Sequence, residues 1–188
     1  MIKIVAGKHR GRAIATPEGM TTRPTANRAR ESLFNILAHA NWTSDGTSPL
    51  FDARVLDAFA GSGALGIEAL SWGAAHATFL ENDPTAVRLI GDNLRKLGET
   101  ASARVIRADA TRPPPGRDPC NLALLDPPYR SGLAAPALAA LAEAGWLAPG
   151  AIATVELSDN EDLIAPSGFE AIDERRYGAA KIVILRYT

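Results

Sequence analysis

The stretch R-V-L-D-A-F-A-G-S-G-A-L-G-I-E-A-L, residues 54–70, decides the fold of this chain. Residues 55–56 end a short apolar run that is typical of a buried strand, and Asp57 follows them. The glycines of segment 61–63 then allow a turn in which the backbone can approach a ligand closely, and a helical pattern comes next. Because the start of a helix leaves backbone N–H groups unpaired, this arrangement predicts a nucleotide-binding site.

The acid before the glycines indicates which cofactor such a turn binds. The spacing Gly61-x-Gly63-x-x-Gly66 also satisfies the dinucleotide fingerprint, although glycine turns of this kind also occur without any ligand. A carboxylate at Asp57 would repel a pyrophosphate, but it could accept hydrogen bonds from the ammonium of an amino-acid moiety. The pattern therefore favours S-adenosylmethionine over NAD.

The composition indicates a single compact domain. The chain has 188 residues, of which 46% are hydrophobic, enough to fill a core. Its single cysteine, Cys120, excludes an internal disulfide and is expected to be a buried thiol beside the apolar run 122–125. The N-terminus lacks the apolar segment of a signal peptide, and the alanine-rich stretch 133–147 is interrupted by proline, glutamate and glycine. We expect a soluble cytoplasmic protein with no membrane contact and no metal site.

The formal net charge of −1 hides an uneven distribution of charge. Residues 1–30 carry seven basic side chains and one acid, a net charge of +6, so the rest of the chain carries −7. A solvated basic face is the ordinary interpretation of such a run. Because this run is long and interleaved with glycine and threonine, it favours a nucleic-acid contact at least as strongly.

The basic segment contains the patterns of a hairpin and a helix. Two β-type runs, residues 3–6 and 12–16, flank G-K-H-R-G and predict a hairpin whose basic tip stands away from the core to hold phosphates. Thr25 is predicted to cap a helix, since Pro24 precedes it and a helical apolar pattern follows. Cations at a helix start oppose its dipole, so an anionic ligand explains Arg23, Arg28 and Arg30 at least as well as solvation does. The candidate RNA contacts are Lys8, Arg10, Arg12, Arg23 and Arg28.

After a polar connection at residues 41–49, strand and helix patterns alternate. Strands are predicted at residues 55–56, 77–80, 104–106, 122–125 and 151–156, and helices at 64–72, 84–97 and 133–144. This alternation predicts an α/β, doubly wound parallel sheet. Two further β-rich runs, 170–177 and 181–187, predict a terminal antiparallel hairpin. A mostly parallel, seven-stranded sheet that ends in this way is typical of the Rossmann-like class I methyltransferases and not of dehydrogenases. We therefore expect residues 1–40 to form an RNA-gripping unit and 41–188 the methyltransferase domain.

An acid ends or follows each of the first four predicted strands. Ligands of open parallel sheets bind outside the carboxyl ends of the strands, so these acids would share one edge. Glu81 comes about 20 residues after the glycines, where a carboxylate can hold ribose hydroxyls. Asp109 could accept a hydrogen bond from an adenine amino group, with a helix cap as the alternative. The predicted cofactor-binding residues are Asp57, Phe59, Gly61, Gly63, Glu81, Asn82, Asp109 and Ala110.

The most specific motif of the sequence is Asp126-Pro127-Pro128-Tyr129. Because the two prolines restrict the backbone, the carboxylate of Asp126 and the carbonyl of Pro127 are expected to face the same space. They could accept the hydrogens of a planar amine, and Tyr129 could stack on the ring that carries it. The motif predicts methylation of an exocyclic amine, with Asp126, Pro127 and Tyr129 as catalytic residues. A carboxylate could accept hydrogen bonds from both the N1–H and the N2–H of guanine, so the motif suggests guanine as the base that is methylated.

With these motifs, the chain resembles the RsmD family of bacterial small-subunit ribosomal RNA guanine-N2 methyltransferases over nearly its whole length. The resemblance rests on G-K-H-R-G-R at residues 7–12, R-P-T at 23–25, R-E-S-L-F-N at 30–35, D-A-F-A-G-S-G-A-L-G-I-E-A-L-S at 57–71 and D-P-P-Y at 126–129. The last motif also occurs in adenine-N6 and glutamine methyltransferases, and many relatives carry Phe at the position of Tyr129. The resemblance implies methylation of one guanine N2 of small-subunit rRNA in an assembling particle. We also expect the protein to be a monomer.

Two other interpretations remain open from the sequence. The first is another amine methyltransferase, acting on adenine in DNA or on a protein glutamine. The second is a non-catalytic module that binds nucleotides or RNA through a vestigial glycine turn.

Overall fold

The computed structural model describes residues 1–17, 24–43 and 46–188, and for residues 24–27 it describes only the backbone. The secondary-structure elements are, in chain order, β1 (Ile2–Lys3), β2 (Ala13–Ile14), α1 (Pro24–His39), β3 (Arg54–Ala58), α2 (Ala64–Trp72), β4 (His76–Glu81), α3 (Pro84–Leu97), β5 (Ala103–Arg107), β6 (Cys120–Leu125), α4 (Ala134–Glu143), β7 (Leu147–Ser158), β8 (Phe169–Tyr177) and β9 (Ala180–Tyr187). Short 3₁₀ turns lie at Gly7–His9 and Thr100–Ser102. A helix therefore follows β3, β4 and β6, whereas β5 connects to β6 without one.

In the described residues, seven strands form one sheet in the order β5-β4-β3-β6-β7-β9-β8. Strands β3 to β7 are parallel, and β9 runs antiparallel between β7 and β8. The predicted class I methyltransferase fold is thus confirmed, with its terminal antiparallel hairpin. Strand order reverses between β3 and β6, which is where ligands of doubly wound sheets bind.

Local signals set the bounds of the helices. Helices α2 and α3 occupy the predicted residues 64–72 and 84–97. The Oδ1 of Asp83 accepts hydrogen bonds from the backbone N–H groups of the second and third residues of α3, both at 2.8 Å. Pro84 occupies the first helical position, and Gly98 ends the helix in the left-handed conformation. These signals are short-range, so the sequence shows them directly.

The strands are longer than the apolar runs that predicted them. Strand β3 continues to Ala58, so Asp57 lies inside the strand and not after it. Strand β7 begins at Leu147, four positions before the predicted start at Ala151. A buried strand can include a carboxylate when a neighbouring N–H group donates to it, and an apolar-run pattern does not detect that case.

Two apolar clusters lie on the two faces of the sheet. One contains side chains of α1, α2 and α3 and also Ile4 and Ile14 of the N-terminal hairpin region. The other contains α4 side chains such as Leu138 and Leu141 against β6 and β7. Residues 1–40 therefore share a core with the body of the protein. That they form a separate RNA-gripping unit stays a prediction.

The predicted hairpin forms, but its tip does not stand away from the core. Strands β1 and β2 pair antiparallel, with Ile2 opposite Ile14, and the turn Gly7–His9 packs on α2. The N–H of His9 donates to Ser71 Oγ at 3.0 Å, and this hydroxyl donates to the carbonyl of Ala6. A Cβ on Gly7 would overlap the Ser71 carbonyl, so the close approach requires glycine. The prediction was wrong because α2 supplies hydrogen-bond partners that the hairpin lacks on its own.

The predicted cap of α1 was also wrong. Helix α1 begins at Pro24, so Thr25 lies in its first turn and is not the cap. Proline suits the first helical position because the N–H group that it lacks would be unpaired there anyway. Arg23, the predicted RNA contact before this helix, lies outside the described residues.

Candidate active site

The glycine turn after β3 contacts the end of β4. The N–H of Gly61 donates to Glu81 Oε2 at 2.7 Å, and the N–H of Ala60 donates to the carbonyl of Leu80 at 3.1 Å. A Cβ added to Gly61 would meet no atom within 4 Å, so the turn is open on that side. Gly63 has the left-handed conformation and precedes α2. The structure therefore brings together the predicted residues of the turn and Glu81.

Asp57 lies beneath the turn. Its side chain is 1% exposed, and its Oδ2 accepts a hydrogen bond from the N–H of Gly66 at 2.8 Å. Burial raises the pKa of Asp57 well above its ordinary value; the Gly66 bond opposes this rise, and the charges of Asp126 and Glu81 add to it. Asp57 thus holds the first turn of α2 against the sheet, and its contact with a ligand ammonium stays a prediction.

The second loop of the site follows β6, the strand beside β3. The register pairs Ala58 with Leu125, and the N–H of Asp126 donates to the carbonyl of Ala58 at 3.5 Å. The glycine turn and the segment 126–129, which we call the transfer loop, therefore leave neighbouring strands at the same edge of the sheet. This edge is the carboxyl end of the parallel strands, where the sequence places both motifs.

A non-glycine residue with a positive φ angle lies beside each loop. Phe59 has a φ of 62°, and Arg130, directly after the transfer loop, has a φ of 56°. Such conformations are uncommon outside glycine and persist where the surrounding structure holds them. The N–H of Arg130 donates to Glu161 Oε2 at 2.9 Å, which supplies part of that support.

The side chains of the transfer loop differ in exposure. Pro127 is buried, whereas Asp126 and Tyr129 are exposed, Tyr129 to 43%. The hydroxyl of Tyr129 donates to Glu156 Oε1 at 2.6 Å. An acceptor and an aromatic ring are therefore both accessible at the edge where the glycine turn lies.

Asp126 and Glu156 form a pair of neighbouring carboxyl groups. The register pairs Leu125 with Val155, so the two acids that follow lie level on adjacent strands. Asp126 is exposed, but the surrounding protein removes part of the water around its carboxyl group. This desolvation raises the pKa of Asp126 to about 7, and the charge of Glu156 adds to the rise. Burial also raises the pKa of Glu156, against the opposing effects of the Tyr129 hydrogen bond and the Arg30 charge. The strand register supports the effect of the Glu156 charge on the pKa of Asp126, because it places the two carboxyl groups side by side.

The other predicted cofactor residues lie at the same end of the sheet. Asn82 follows β4 and is exposed, and Asp109 follows β5. The Oδ1 of Asp109 accepts hydrogen bonds from the N–H and the hydroxyl of Thr111, both at 2.8 Å, and these bonds lower its pKa. Asp109 thus caps a turn and not a helix, because the next regular element after it is strand β6. Ala110 is buried against the second core cluster.

The described basic candidates of the N-terminal segment divide into two groups. The Nζ of Lys8 lies 2.7 Å from Glu99 Oε1, and the Nη2 of Arg12 donates to the carbonyl of Lys96 at 2.6 Å. These two side chains hold the hairpin to the end of α3. The other described candidates are Arg10 in the hairpin and Arg28 on α1, and they are exposed, as Lys8 and Arg12 also are.

A buried arginine, Arg30, connects α1 to this region. An anionic ligand and solvation were the two interpretations of Arg30, and neither holds, because it is 7% exposed and its Nη2 donates to the carbonyl of Lys3 at 3.0 Å. Its Nε lies 3.5 Å from Glu68 Oε2. Burial lowers the pKa of Arg30, against the opposing charges of Glu68 and Glu156. Its anionic partners therefore belong to the protein itself.

Glu156 was not predicted as a site residue, although the sequence contains a signal for it. It ends the predicted strand 151–156, in the same way that the other acids end or follow the first four strands. Extending that rule to the fifth strand would have found it.

Among the described residues, a cavity also lies away from this edge. An open cavity of about 530 Å³ is lined by Asp162, Leu163, Ala171, Ile172, Asp173, Glu174, Lys181 and Val183, and it contains none of the predicted site residues. Within residues 1–17, 24–43 and 46–188, no cluster of His, Cys, Asp or Glu could hold a metal ion. No helix in that part of the chain is long and apolar enough to cross a membrane.

The fold and the two loops together define a class I methyltransferase. The fold by itself would not decide this, because the [4+2]-cyclase SpnF has a similar structure, with a TM-score of 0.67 over 91% of this chain and 85% of that chain at 14% identity. The family model described as "Conserved hypothetical protein 95" matches residues 2–186. The chain belongs to this family, the RsmD family that its motifs resemble.

Similar proteins agree with this assignment. The chain is 40% identical to ribosomal RNA small subunit methyltransferase D of Escherichia coli K12 over 156 residues. The matched region covers 82% of this chain and 74% of the relative. The chain is 35% identical over 181 residues to the protein of the same name from Haemophilus influenzae, covering 94% and 89%. The solved structure of yhhF from Escherichia coli has a TM-score of 0.81 at 36% identity and covers 99% of this chain and 97% of that chain.

Proposed function

We propose that this protein transfers a methyl group from S-adenosylmethionine to the exocyclic N2 of a guanine in small-subunit ribosomal RNA. One observation carries the proposal: the glycine turn after β3 and the transfer loop after β6 leave neighbouring strands at the same edge of the sheet. A methyl donor held by the first and a base held by the second would lie side by side. The names of the relatives support small-subunit rRNA as the substrate.

The residues of the turn fit S-adenosylmethionine. The open side of Gly61 leaves room for a ligand against the backbone, and the partly exposed carboxylate of Glu81 beside it can accept hydrogen bonds from ribose hydroxyls. Asn82 and Asp109 lie at the same end of the sheet and would hold the adenine side. When bound, this cofactor supplies an electrophilic methyl group on a sulfonium.

The transfer loop provides what an exocyclic amine requires. The carboxylate of Asp126 and the carbonyl of Pro127 would accept the amine hydrogens and orient the nitrogen, and the exposed ring of Tyr129 would stack on the base. As the nitrogen gains positive charge, the ionised form of Asp126 stabilises it. The two oxygens of a carboxylate match the adjacent N1–H and N2–H donors of guanine, whereas adenine offers a donor beside an acceptor.

Exposed basic residues of the N-terminal segment would hold the RNA backbone. Arg10 and Arg28 are exposed, and unlike Lys8 and Arg12 they do not hold the hairpin to the end of α3. Contacts of this kind attract RNA without reading its sequence, so the choice of one guanine would depend on the shape of the RNA or of a protein-bound particle. We further propose that the protein acts as a monomer, in the cytoplasm, on an assembling small subunit.

A transfer assay tests the proposal. The purified protein and radiolabelled S-adenosylmethionine are offered unmodified small-subunit particles, naked small-subunit rRNA, DNA and protein, and the labelled product is digested and identified by mass spectrometry. We expect N2-methylguanosine from the particles, and no label with the Asp126→Ala variant. Methyladenosine or methylglutamine would assign the protein to a different amine. Absence of transfer to every substrate, together with no cofactor binding by calorimetry, would indicate a non-catalytic module.

A further inference from the structure

Glu156 contacts the transfer loop from the neighbouring strand β7. The strand register places it level with Asp126, and its Oε1 accepts the 2.6 Å hydrogen bond of the Tyr129 hydroxyl. Strand β7 lies between β6 and β9, so hydrogen bonds on both sides fix its position. A carboxyl group on a fixed interior strand is thus bonded to the tip of an exposed aromatic ring.

This bond restricts the orientation of the ring. An exposed tyrosine on a loop can adopt several staggered side-chain rotamers. A short hydrogen bond from its hydroxyl to a carboxyl group favours the rotamer that makes the bond, and bonds that involve an ionised group are the stronger ones. Tyr129 is 43% exposed, so the residue remains accessible from solvent while its hydroxyl is anchored. The anchor therefore orders the surface on which a base would stack.

Arg30 supports Glu156 from α1. Its positive charge acts on the carboxyl of Glu156, and its own position is fixed by the Lys3 carbonyl and by Glu68. The buried Nε of Arg30 has no hydrogen-bond partner in the described part of the chain, so electrostatic attraction rather than a full set of hydrogen bonds compensates for its burial. Arg30 thereby connects the N-terminal hairpin to the transfer loop: it donates a hydrogen bond to the Lys3 carbonyl, and its charge attracts Glu156, which accepts the Tyr129 hydrogen bond.

We infer that Glu156 is a positioning residue of the methyl-transfer reaction: it holds the Tyr129 ring in the orientation that presents the amine of the stacked base to Asp126. The inference rests on the proposed function, because it takes Tyr129 as the surface on which the base stacks. Glu156 would act through Tyr129 and not by contact with the reacting atoms.

A double-mutant cycle tests this inference with the full-length protein. We expect Tyr129→Phe and Glu156→Ala each to lower kcat roughly 10-fold, because a misoriented base spends less time in the reactive geometry. Cofactor affinity, measured by calorimetry, should stay within about 3-fold of the wild-type value, since neither residue belongs to the glycine turn. The double variant should be no slower than Glu156→Ala alone, because both changes break the same bond. Glu156→Gln should recover most of the activity, because its amide oxygen can still accept from the hydroxyl.

The pH dependence gives a readout that a purely structural role would not change. The charged and titratable groups around the Asp126–Glu156 pair are Tyr129 on the transfer loop, Arg30 on α1, its partner Glu68 on α2 and Asp57 on β3, while the β9 residue opposite Glu156 is Ile182. Glu156→Gln removes the negative charge beside Asp126, so the pKa of Asp126 falls. The variant should therefore retain a larger share of its pH 8 rate at pH 6 than the wild type does.

Controls separate the possible outcomes. Glu143 lies exposed in the last turn of α4, and Glu143→Ala should leave kcat and the pH profile unchanged. Thermal unfolding of every variant checks that it is folded. Wild-type turnover by Glu156→Ala, or losses that multiply in the double variant, would overturn the inference while leaving the proposed function intact. A wild-type protein that methylates no guanine would overturn the proposed function itself.

Discussion

The backbone N–H of Gly61 donates a 2.7 Å hydrogen bond to the carboxylate of Glu81, and this bond joins the ends of β3 and β4 across 20 residues of chain. The carboxylate therefore lies against the glycine turn, at the carboxyl end of the parallel strands. Its Oε1 accepts from the N–H of Asp83 at 2.9 Å, and because a carboxylate has about four acceptor sites, it can still accept from a nucleoside at this edge.

We expect Glu81→Ala to weaken S-adenosylmethionine binding roughly 10- to 100-fold, because a hydrogen bond to a charged group contributes about 1.5–3 kcal/mol. Isothermal calorimetry with the purified protein measures the change. Glu170→Ala, at an exposed position of β8, is the matched control and should bind as the wild type does. Unchanged affinity of Glu81→Ala would show that Glu81 only shapes the turn.

Asp126→Ala should abolish methyl transfer and leave cofactor binding intact. The carboxylate belongs to the transfer loop and not to the glycine turn, so its removal takes away the acceptor for the amine hydrogens without touching the cofactor site. Single-turnover assays with labelled cofactor measure the first effect, and calorimetry measures the second. Near-normal turnover by this variant would remove Asp126 from the mechanism.

The raised pKa of Asp126 also predicts how stability depends on pH. The folded protein holds the proton of Asp126 up to about pH 7, whereas the unfolded chain releases it near the ordinary value of 3.8. Ionisation therefore disfavours the folded state increasingly between about pH 4 and pH 7, and the full penalty is present above that range. Asp126→Asn removes this penalty, so its free energy of unfolding relative to wild type should be higher at pH 8 than at pH 4. Urea unfolding at both pH values tests this, and a difference of the opposite sign would contradict it.

Ser71→Ala should destabilise the docked hairpin by about 1–3 kcal/mol, because it leaves buried backbone groups of the hairpin without their partner. The Ser71 hydroxyl accepts from the N–H of His9 and donates to the carbonyl of Ala6. Urea denaturation measures the free energy of unfolding. Ser167→Ala, at an exposed position, should change it by less than about 0.5 kcal/mol. Equal stability of the two variants would mean that water replaces the Ser71 bonds.

Removing the charges of Arg10 and Arg28 should weaken RNA binding in a salt-dependent way. Each phosphate contact that is lost lowers the slope of log affinity against log salt by about 1, so the double alanine variant should lose about 2. Lys8 and Arg12 make poorer tests, because their side chains also hold the hairpin to α3. Arg117→Ala is the control, since Arg117 lies exposed before β6, at the opposite end of the strands. An unchanged slope would exclude both arginines from the RNA contact.

Much of the fold could be predicted because its signals are local. Pro84 and Gly98 bound α3 through their own backbone preferences, and the alternation of apolar strands with helical patterns predicted the parallel sheet. The positions of the two motifs followed from the topology, since parallel strands end at the same edge. Thr25 shows the limit of such signals, because both a threonine cap and a proline at the first helical position were available and the second was realised.

The charged residues could not be assigned in the same way. A run of basic residues indicates an anionic partner, but Arg30 found its anions in Glu68 and Glu156, which lie far along the chain. Lys8 likewise contacts Glu99. Which acid pairs with which base depends on how segments distant in sequence pack, and no periodicity records that.

The order of the elements, the sheet class and the two motifs at its edge follow from local sequence patterns, because hydrophobic period, turn residues and proline restrictions act over a few residues. Long-range packing, in contrast, brings the hairpin tip onto α2, buries Asp57 beneath the glycine turn and anchors Tyr129 to Glu156. These outcomes depend on the burial of polar groups, whose partners exist only once separate segments are brought together.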